Sequence, residues 1–483
     1  MKRVLFSAFF CTFAGLMAQA QTAPQPVGPL PTEHQVAWQQ METYAFIHFG
    51  PNTFGDREWG YGDAPLSTFN PTRLDCEQWA RTLKAAGMKG VILTAKHHDG
   101  FCLWPTKYTD YCIRNTPYKD GHGDIVGELA EACRKHGLKM GLYLSPWDRH
   151  QAFYATPLYI EYYYAQLEEL LTQYGDLFEI WFDGANGGDG WYGGANEKRQ
   201  IDRRTYYDFP RAHRLVYKHQ PQAIIFSDGG PGCRWVGNEK GFANATNWSL
   251  LRGGEVYPGY DRYTELTSGH ADGDTWVAAE CDVSIRPSWF YHENEDTKVK
   301  TVDELTDLYY RSVGHNATLL LNFPVDKDGL IHPTDSARAV QFYHRIQTEL
   351  ADNLLTGATI KASNIRGKAF NTKQLTDGRY DTYWATSDKV TTATLNIKLK
   401  KEQKLNRLML QEYIPLGQRV EQFVVEYQHK GHWLLLDVDE ETTTIGYKRL
   451  LRFPTITTRQ LRITFERARG PLCINGLGAY YAP

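Results

Sequence analysis

The chain is poor in cysteine, with 8 in 483 residues. Cys11 lies in an N-terminal apolar run, and the other seven (Cys76, Cys102, Cys112, Cys133, Cys233, Cys281, Cys473) are odd in number and irregular in spacing. That excludes a disulfide framework and a zinc-binding spacing. An excess of one charge is also lacking: 53 Lys and Arg face 56 Asp and Glu, for a formal net charge of −3. Without a basic surplus to neutralise phosphates, nucleic acid is excluded as an expected partner. Beyond residue 20 no stretch approaches the ~18 to 20 apolar residues that cross a bilayer, so no membrane span is expected.

Aromatic residues, by contrast, are plentiful: 13% of the chain, including 13 Trp and 30 Tyr. Core packing accounts for most of them. Flat rings also stack on the apolar C–H face of sugars, and a neutral substrate suits the balanced charge. With 42% hydrophobic and 23% charged residues the composition is that of a globular protein. The first twenty residues read as an export leader: Lys2 and Arg3, the apolar run Val4 to Met17, then Ala18-Gln19-Ala20. Cleavage is expected after Ala20. Cys11 lacks the residues that precede a lipoprotein acceptor, so a periplasmic or secreted product is expected.

The length suits a barrel plus a smaller module. From Tyr44 to about Phe323 short apolar runs alternate with amphipathic stretches, the rhythm of a parallel barrel. Strands are predicted at Ala45-Phe46-Ile47, Gly90 to Thr94, Met140 to Leu144, Phe178 to Phe182, Ile224 to Phe226, Trp276 to Ala279 and Thr318 to Leu321. Helices are predicted at Cys76 to Ala86, Gly123 to His136, Tyr159 to Tyr174, Val302 to Val313 and Ser336 to Leu350. After about Leu350 the period drops to two: Leu395, Ile397 and Leu399, then Leu408 and Leu410, Phe423 and Val425, and Leu461, Ile463 and Phe465 alternate with polar residues. The fold class is therefore α/β, a (β/α)8-like (TIM-type) barrel over residues 21–352 followed by an antiparallel β-sandwich over 353–483, with the leader over 1–20.

A parallel barrel places its chemistry at the C-terminal ends of its strands. The predicted exits are polar or aromatic throughout: His48-Phe49-Gly50, Lys96-His97-His98-Asp99-Gly100, Ser145-Pro146-Trp147-Asp148, Asp183-Gly184, Ser227-Asp228-Gly229, Glu280-Cys281-Asp282 and Asn322-Phe323. Asp183 ends an apolar strand before a glycine-rich loop. It reads either as a nucleophile at the barrel mouth or as a loop residue capping the next element. His97 and His98 read as core residues, as hydrogen-bonding partners of sugar hydroxyls, or as metal ligands, although the spacing offers no third ligand.

Taken in order, Ile47-His48-Phe49-Gly50, Glu58-Trp59, Thr94-Ala95-Lys96-His97-His98-Asp99-Gly100-Phe101, Tyr143 and Trp181-Phe182-Asp183-Gly184 resemble glycoside hydrolase family 29, the α-L-fucosidases. The resemblance implies a retaining two-step mechanism with Asp183 as nucleophile and a second carboxylic acid as acid/base, and no catalytic cofactor. It also implies that His48, Glu58, Trp59, His97, His98, Tyr143 and Trp181 hold the sugar. Arg234-Trp235-Val236-Gly237-Asn238-Glu239 resembles the acid/base segment of the branch that cuts α-1,3- and α-1,4-linked fucose, which makes Glu239 the acid/base; Glu280 is the runner-up, its plainer role an ion pair with Arg286. Ser145-Pro146-Trp147-Asp148-Arg149 and the segment Ala279 to Phe290 resemble the same branch, with Trp289 and Phe290 facing the deoxy sugar or the aglycone. The expected partner is then a fucosylated, Lewis-type oligosaccharide. Two other functions stay open: a glycan-binding protein without catalysis, and a hydrolase of another sugar such as an α-galactoside.

In the second module Leu375 to Trp384 resembles the early turn of discoidin-like, carbohydrate-binding sandwiches. That resemblance implies a structural calcium near Asp377 and Asp381. An ordinary Asp- and Gly-rich turn is the plainer alternative.

Overall fold

The computed structural model describes residues 22–483; the leader expected over residues 1–20 lies outside them. Eight parallel strands close into a barrel: β1 (Thr43–Ile47), β2 (Gly90–Lys96), β3 (Lys139–Leu144), β4 (Leu177–Trp181), β5 (Ile224–Ser227), β6 (Cys233–Trp235), β7 (Ala278–Ser284) and β8 (Ala317–Asn322). Each pairs with its neighbour in the chain, and β8 returns to β1 with Thr43 opposite Leu319. Strands covered on both faces read as unbroken apolar runs; in β2 every residue from Gly90 to Lys96 is buried.

Six helices wrap the barrel: α1 (Cys76–Ala85), α2 (Ile125–His136), α3 (Pro157–Gln173), α4 (Phe209–His219), α5 (Val302–Arg311) and α6 (Pro333–Glu349). Their ends follow local chemistry. Asp75 and Asp124 accept hydrogen bonds from the N–H groups of Gln78 and Gly127 at the starts of α1 and α2, and Gly137, at φ 65°, closes α2 in the left-handed conformation. Among the described residues no α-helix joins β5 to β6 or β6 to β7. Those connections are loops, and they build one wall of the site.

β6 and α4 are absent from the sequence-based prediction, and β7 is displaced. β6 is three residues long and carries Arg234, which patterning would place in solvent. Its guanidinium is instead buried and donates to the carbonyls of Leu266 (3.0 Å) and Val277 (2.5 Å) and to Asn247 Oδ1 (2.7 Å). Burial lowers its pKa to about 9. β7 begins two residues later than predicted and runs on to Ser284, so Glu280, Cys281 and Asp282 lie within the strand rather than at its exit.

The C-terminal module is an antiparallel sandwich of β9 (Thr359–Ala362), β10 (Trp384–Ala385), β11 (Ala393–Glu412), β12 (Val420–His429), β13 (His432–Leu435), β14 (Arg449–Ala468) and β15 (Cys473–Tyr480). β11 and β14 pair along two 20-residue strands, with register breaks at Lys398/Gln403 and Leu405/Arg407. Before the breaks β11 borders β9; after them it borders β15. Such irregularities bend a long strand so that it serves both layers. The alternating Leu395, Ile397, Leu399, Phe423, Val425, Leu461, Ile463 and Phe465 all enter one core. Against the barrel, Glu349 of α6 pairs with Arg407 (3.1 Å), and Glu42, just before β1, accepts from Tyr447 (2.8 Å).

Candidate active site

At the C-terminal ends of the strands opens a cavity of about 410 Å³, within the range of small-molecule sites. His48, Trp59, His97, His98, Tyr143, Trp181, Asp183, Glu239 and Trp289 all line it. They come together from positions up to 241 residues apart: His48, His97, His98, Tyr143, Trp181 and Asp183 sit at or just beyond strand ends, and Trp59, Glu239 and Trp289 on the loops that follow.

Asp183 follows β4 by two residues and is held by two hydrogen bonds, with His98 beside it. Tyr143, on β3, donates its phenolic hydrogen to Oδ2 (3.0 Å), the N–H of Ala185 donates to Oδ1 (2.7 Å), and His98 Nε2 stands 3.8 Å from Oδ2. About a quarter of its side chain is accessible (24%), so the carboxylate faces the cavity rather than the core.

The three histidines are kept neutral, each with its pKa lowered chiefly by burial. His48 falls to about 3, its Asn322 hydrogen bond opposing the shift. His97 falls well below its ordinary value, pushed further by His98, His48 and Arg149, and His98 falls despite the charge of Asp183. Their tautomers follow from the network. The amide of Asn322 spends its hydrogens on Ser284 Oγ and the Trp289 carbonyl (both 2.9 Å), so Oδ1 accepts from His48 Nδ1 (2.8 Å). Ser145 donates to the Trp147 carbonyl (2.6 Å), so its oxygen accepts from His98 Nδ1 (2.7 Å). Both rings therefore leave Nε2 as an acceptor. His97 Nδ1 is buried with no protein partner. Neutral rings with spare acceptors and an unpaired nitrogen suit polyhydroxylated ligands better than anions.

Trp181 packs flat on Phe226 (3.9 Å between centroids, 7° between planes) and donates its N–H to Glu280 Oε1 (2.8 Å). Trp59 is 54% exposed and stands edge-on to His98 and Trp147 (5.3 and 5.7 Å), a rim ring rather than a core one.

Glu239 lies four residues past β6 and lines the same cavity. Its side chain is exposed at the cavity mouth; partial loss of solvent raises its pKa, the Trp289 indole N–H, 3.3 Å from Oε2, opposes this, and the charges of Asp183 and Glu58 reinforce it. Asp183 and Glu239 thus sense each other across one cavity.

Other expected positions lie elsewhere. Glu58 does not line the cavity: its Oε2 and Oε1 accept from the backbone N–H groups of Trp289 (2.8 Å) and Phe290 (3.0 Å). Phe290 is fully buried behind His48 and His97, so only Trp289 faces the ligand space. Glu280 lies inside the barrel beneath Trp181, fully buried, and is not a cavity wall. Its partners are Tyr44, Trp181 and Glu179 rather than Arg286, which pairs with Asp335 and Asp296 (both 2.8 Å). Burial raises both Glu179 and Glu280, and the two carboxyls hydrogen-bond to each other. That requires a retained proton between them.

Three carboxyls that line the cavity, those of Asp228, Asp261 and Asp282, were not among the site residues expected from the sequence. Asp228, at the exit of β5, accepts from the N–H groups of Gly259 (2.6 Å) and Tyr260 (3.2 Å), and burial lifts its pKa to about 6. Asp282, within β7, accepts from the Trp235 indole (2.9 Å); burial, and then the charge of Glu239, push it well up. Asp228 and Asp282 both carried a signal as predicted exit residues, although Asp282 proves to lie within β7.

In the sandwich, Asp377 accepts from Arg379 N–H (2.9 Å) and the Thr382 hydroxyl (2.7 Å), and Asp381 pairs with the Arg379 guanidinium (2.9 Å). Calcium takes six to eight oxygen ligands. Asp377 and Asp381 supply two carboxylates in one exposed turn, and only Asp381 faces the Arg379 guanidinium.

A family model described as Alpha-L-fucosidase matches residues 27–343, and one described as F5/8 type C domain matches residues 359–475. The chain belongs to the α-L-fucosidase family. It is thus a glycoside hydrolase of family 29 with a discoidin-like second domain. It is 41% identical to Alpha-L-fucosidase 1 of Arabidopsis thaliana over 469 residues, covering 95% of this chain and 88% of that protein. A glycoside hydrolase 29 member from an unknown rumen bacterium superposes with a TM-score of 0.86 at 46% identity, covering 95% of this chain and 78% of that one. A Ruminococcus gnavus family 29 fucosidase in complex with fucose superposes with a TM-score of 0.84 at 35% identity, covering 96% and 97%.

Proposed function

We propose that the protein is a retaining exo-α-L-fucosidase that removes terminal α-1,3- or α-1,4-linked L-fucose from branched, Lewis-type glycans. The observation that carries this reading is the pairing of Asp183 and Glu239 on one cavity: a carboxylate fixed by Tyr143 and Ala185, and a second carboxyl whose pKa is raised. Retention needs such a pair about 5 to 5.5 Å apart across the glycosidic bond, one ionised and one protonated.

In the first step Asp183 Oδ attacks the anomeric carbon. The bond from that carbon to the glycosidic oxygen breaks, and the Glu239 proton passes to the departing oxygen. In the second step water attacks the same carbon, its proton passes to Glu239, and Asp183 leaves as carboxylate. The acceptor nitrogens of His48 and His98 take up sugar hydroxyls, with the rings of His97 and Trp181 lining the same space. The rings of Trp235, Tyr263 and Trp289, which line the cavity with Glu239, offer stacking faces to a branched aglycone. With the expected leader, the enzyme acts in the periplasm or as a secreted protein.

The test is hydrolysis of Lewis a and Lewis x trisaccharides beside an α-1,2-linked fucoside, 4-nitrophenyl α-L-fucoside and an α-galactoside. Preferential release of fucose from the Lewis compounds is expected. Equal cleavage of the α-1,2 compound contradicts the linkage assignment, and binding without release of fucose contradicts catalysis.

A further inference from the structure

The segment after β7 carries two rings with different fates, Trp289 facing the cavity and Phe290 buried, and it is tied down at its backbone. Glu58 takes the N–H groups of both residues, one on each carboxylate oxygen (2.8 and 3.0 Å). Asn322, which also holds His48, donates to the Trp289 carbonyl (2.9 Å). The Trp289 indole N–H is then directed at Glu239 Oε2 (3.3 Å).

Behind Glu58 stands His292, 14% exposed. Its Nε2 lies 3.0 Å from Glu58 Oε1 and its Nδ1 2.6 Å from Asp56 Oδ1. Carboxylates only accept, so both ring nitrogens must donate. Burial pulls the His292 pKa down, but the two carboxylates outweigh it and the net shift is upward. The carboxylates of these pairs face solvent in part, so the pairs add little to stability. The directed chain of bonds has a geometric consequence instead: Asp56 fixes His292, His292 fixes Glu58, Glu58 fixes the Trp289 backbone, and the indole reaches the carboxyl that donates the proton.

We propose that His292 is a positioning residue for proton donation: clamped between Asp56 and Glu58, it fixes the Trp289 strap and through it the orientation of Glu239. The proposal rests on the reading of Glu239 as acid/base. It differs from a simple packing role in one respect. Misorienting the acid penalises departure of a sugar, which needs the proton, far more than departure of a nitrophenolate, which does not.

The test is kcat/KM, which reports the first chemical step, on Lewis x trisaccharide and on 2,4-dinitrophenyl α-L-fucoside for the wild type, His292→Leu, Asp56→Asn and Glu239→Gln. His292→Leu is expected to lose about 10- to 100-fold on the trisaccharide, as misplacement by about 1 Å does, with little change on the activated fucoside. Asp56→Asn should show the same pattern more weakly. Retained activity on the activated fucoside also shows that the variant is folded. Equal losses on both substrates, or no loss on either, overturn the proposal while leaving Glu239 in place. If Glu239→Gln itself shows no preference for the activated fucoside, the acid/base reading fails first, and the proposal fails with it.

Discussion

Tyr143 on β3 donates its phenolic hydrogen to Asp183 Oδ2 beyond β4 at 3.0 Å. One barrel strand therefore holds the carboxylate that its neighbour presents. A hydrogen bond to a charged group contributes about 1.5–3 kcal/mol, so Tyr143→Phe is expected to lower kcat/KM about 10- to 100-fold. The ring stays to stack on His97, 5.8 Å away, so melting should reveal a small stability change beside a large kinetic one. Unchanged kinetics would show that the hydrogen bond does not serve the reaction.

Removing the carboxylate altogether, as Asp183→Gly, should cost roughly 10³-fold or more in turnover. Azide can enter the vacated space and attack the anomeric carbon from the side Asp183 uses. Partial recovery with azide and formation of β-L-fucosyl azide, identified by proton NMR, are expected; no azide product would mean that Asp183 does not occupy the attacking side.

For Glu239 the pKa is raised, first by loss of solvent, with the charges of Asp183 and Glu58 adding to it. An acid works below its pKa, so kcat/KM should persist above the ordinary carboxylate range and fall as pH rises through the raised value. Glu239→Gln should remove that alkaline limb, and pH–rate profiles on an oligosaccharide check it. An unchanged limb would assign it to another group.

Much of this arrangement was legible in the sequence because the barrel has a strict rule: an apolar run buried on both faces, then the functional residue at its C-terminal end. His48, His97, His98 and Asp183 obey it, and the period of two marks out the sandwich core from Leu395 to Phe465. The rule fails where a strand is polar for its own reasons. Arg234 hides β6 because backbone carbonyls, invisible to patterning, satisfy its guanidinium. Glu280 and Asp282 suggested that β7 had ended, whereas partners from other strands pay for their burial. The partners Glu58 has in the fold, the N–H groups of Trp289 and Phe290, come from more than 230 residues away, where patterning cannot find them.

The interior pair gives a stability prediction with a definite sign. Glu179 and Glu280 are raised in the folded state by burial, so above 4.5 the unfolded chain releases protons that the fold retains, and stability falls as pH rises. Glu280→Gln removes one titrating group while keeping an acceptor for Trp181. Its melting temperature should fall less steeply than that of the wild type as pH rises from about 5 to 8, and its loss of activity, if any, should be equal on oligosaccharide and activated aryl fucoside. A loss confined to the oligosaccharide would make Glu280 the acid.

The central claim, that Asp183 forms a bond to the sugar, is tested most directly by trapping. The protein is incubated with a 2-deoxy-2-fluoro-L-fucosyl fluoride, digested, and its peptides sequenced by mass spectrometry. The account predicts one fluorofucosyl adduct, on Asp183. An adduct on Asp228, Glu239 or Asp282 would contradict it, as would free β-L-fucose appearing as the first product of hydrolysis.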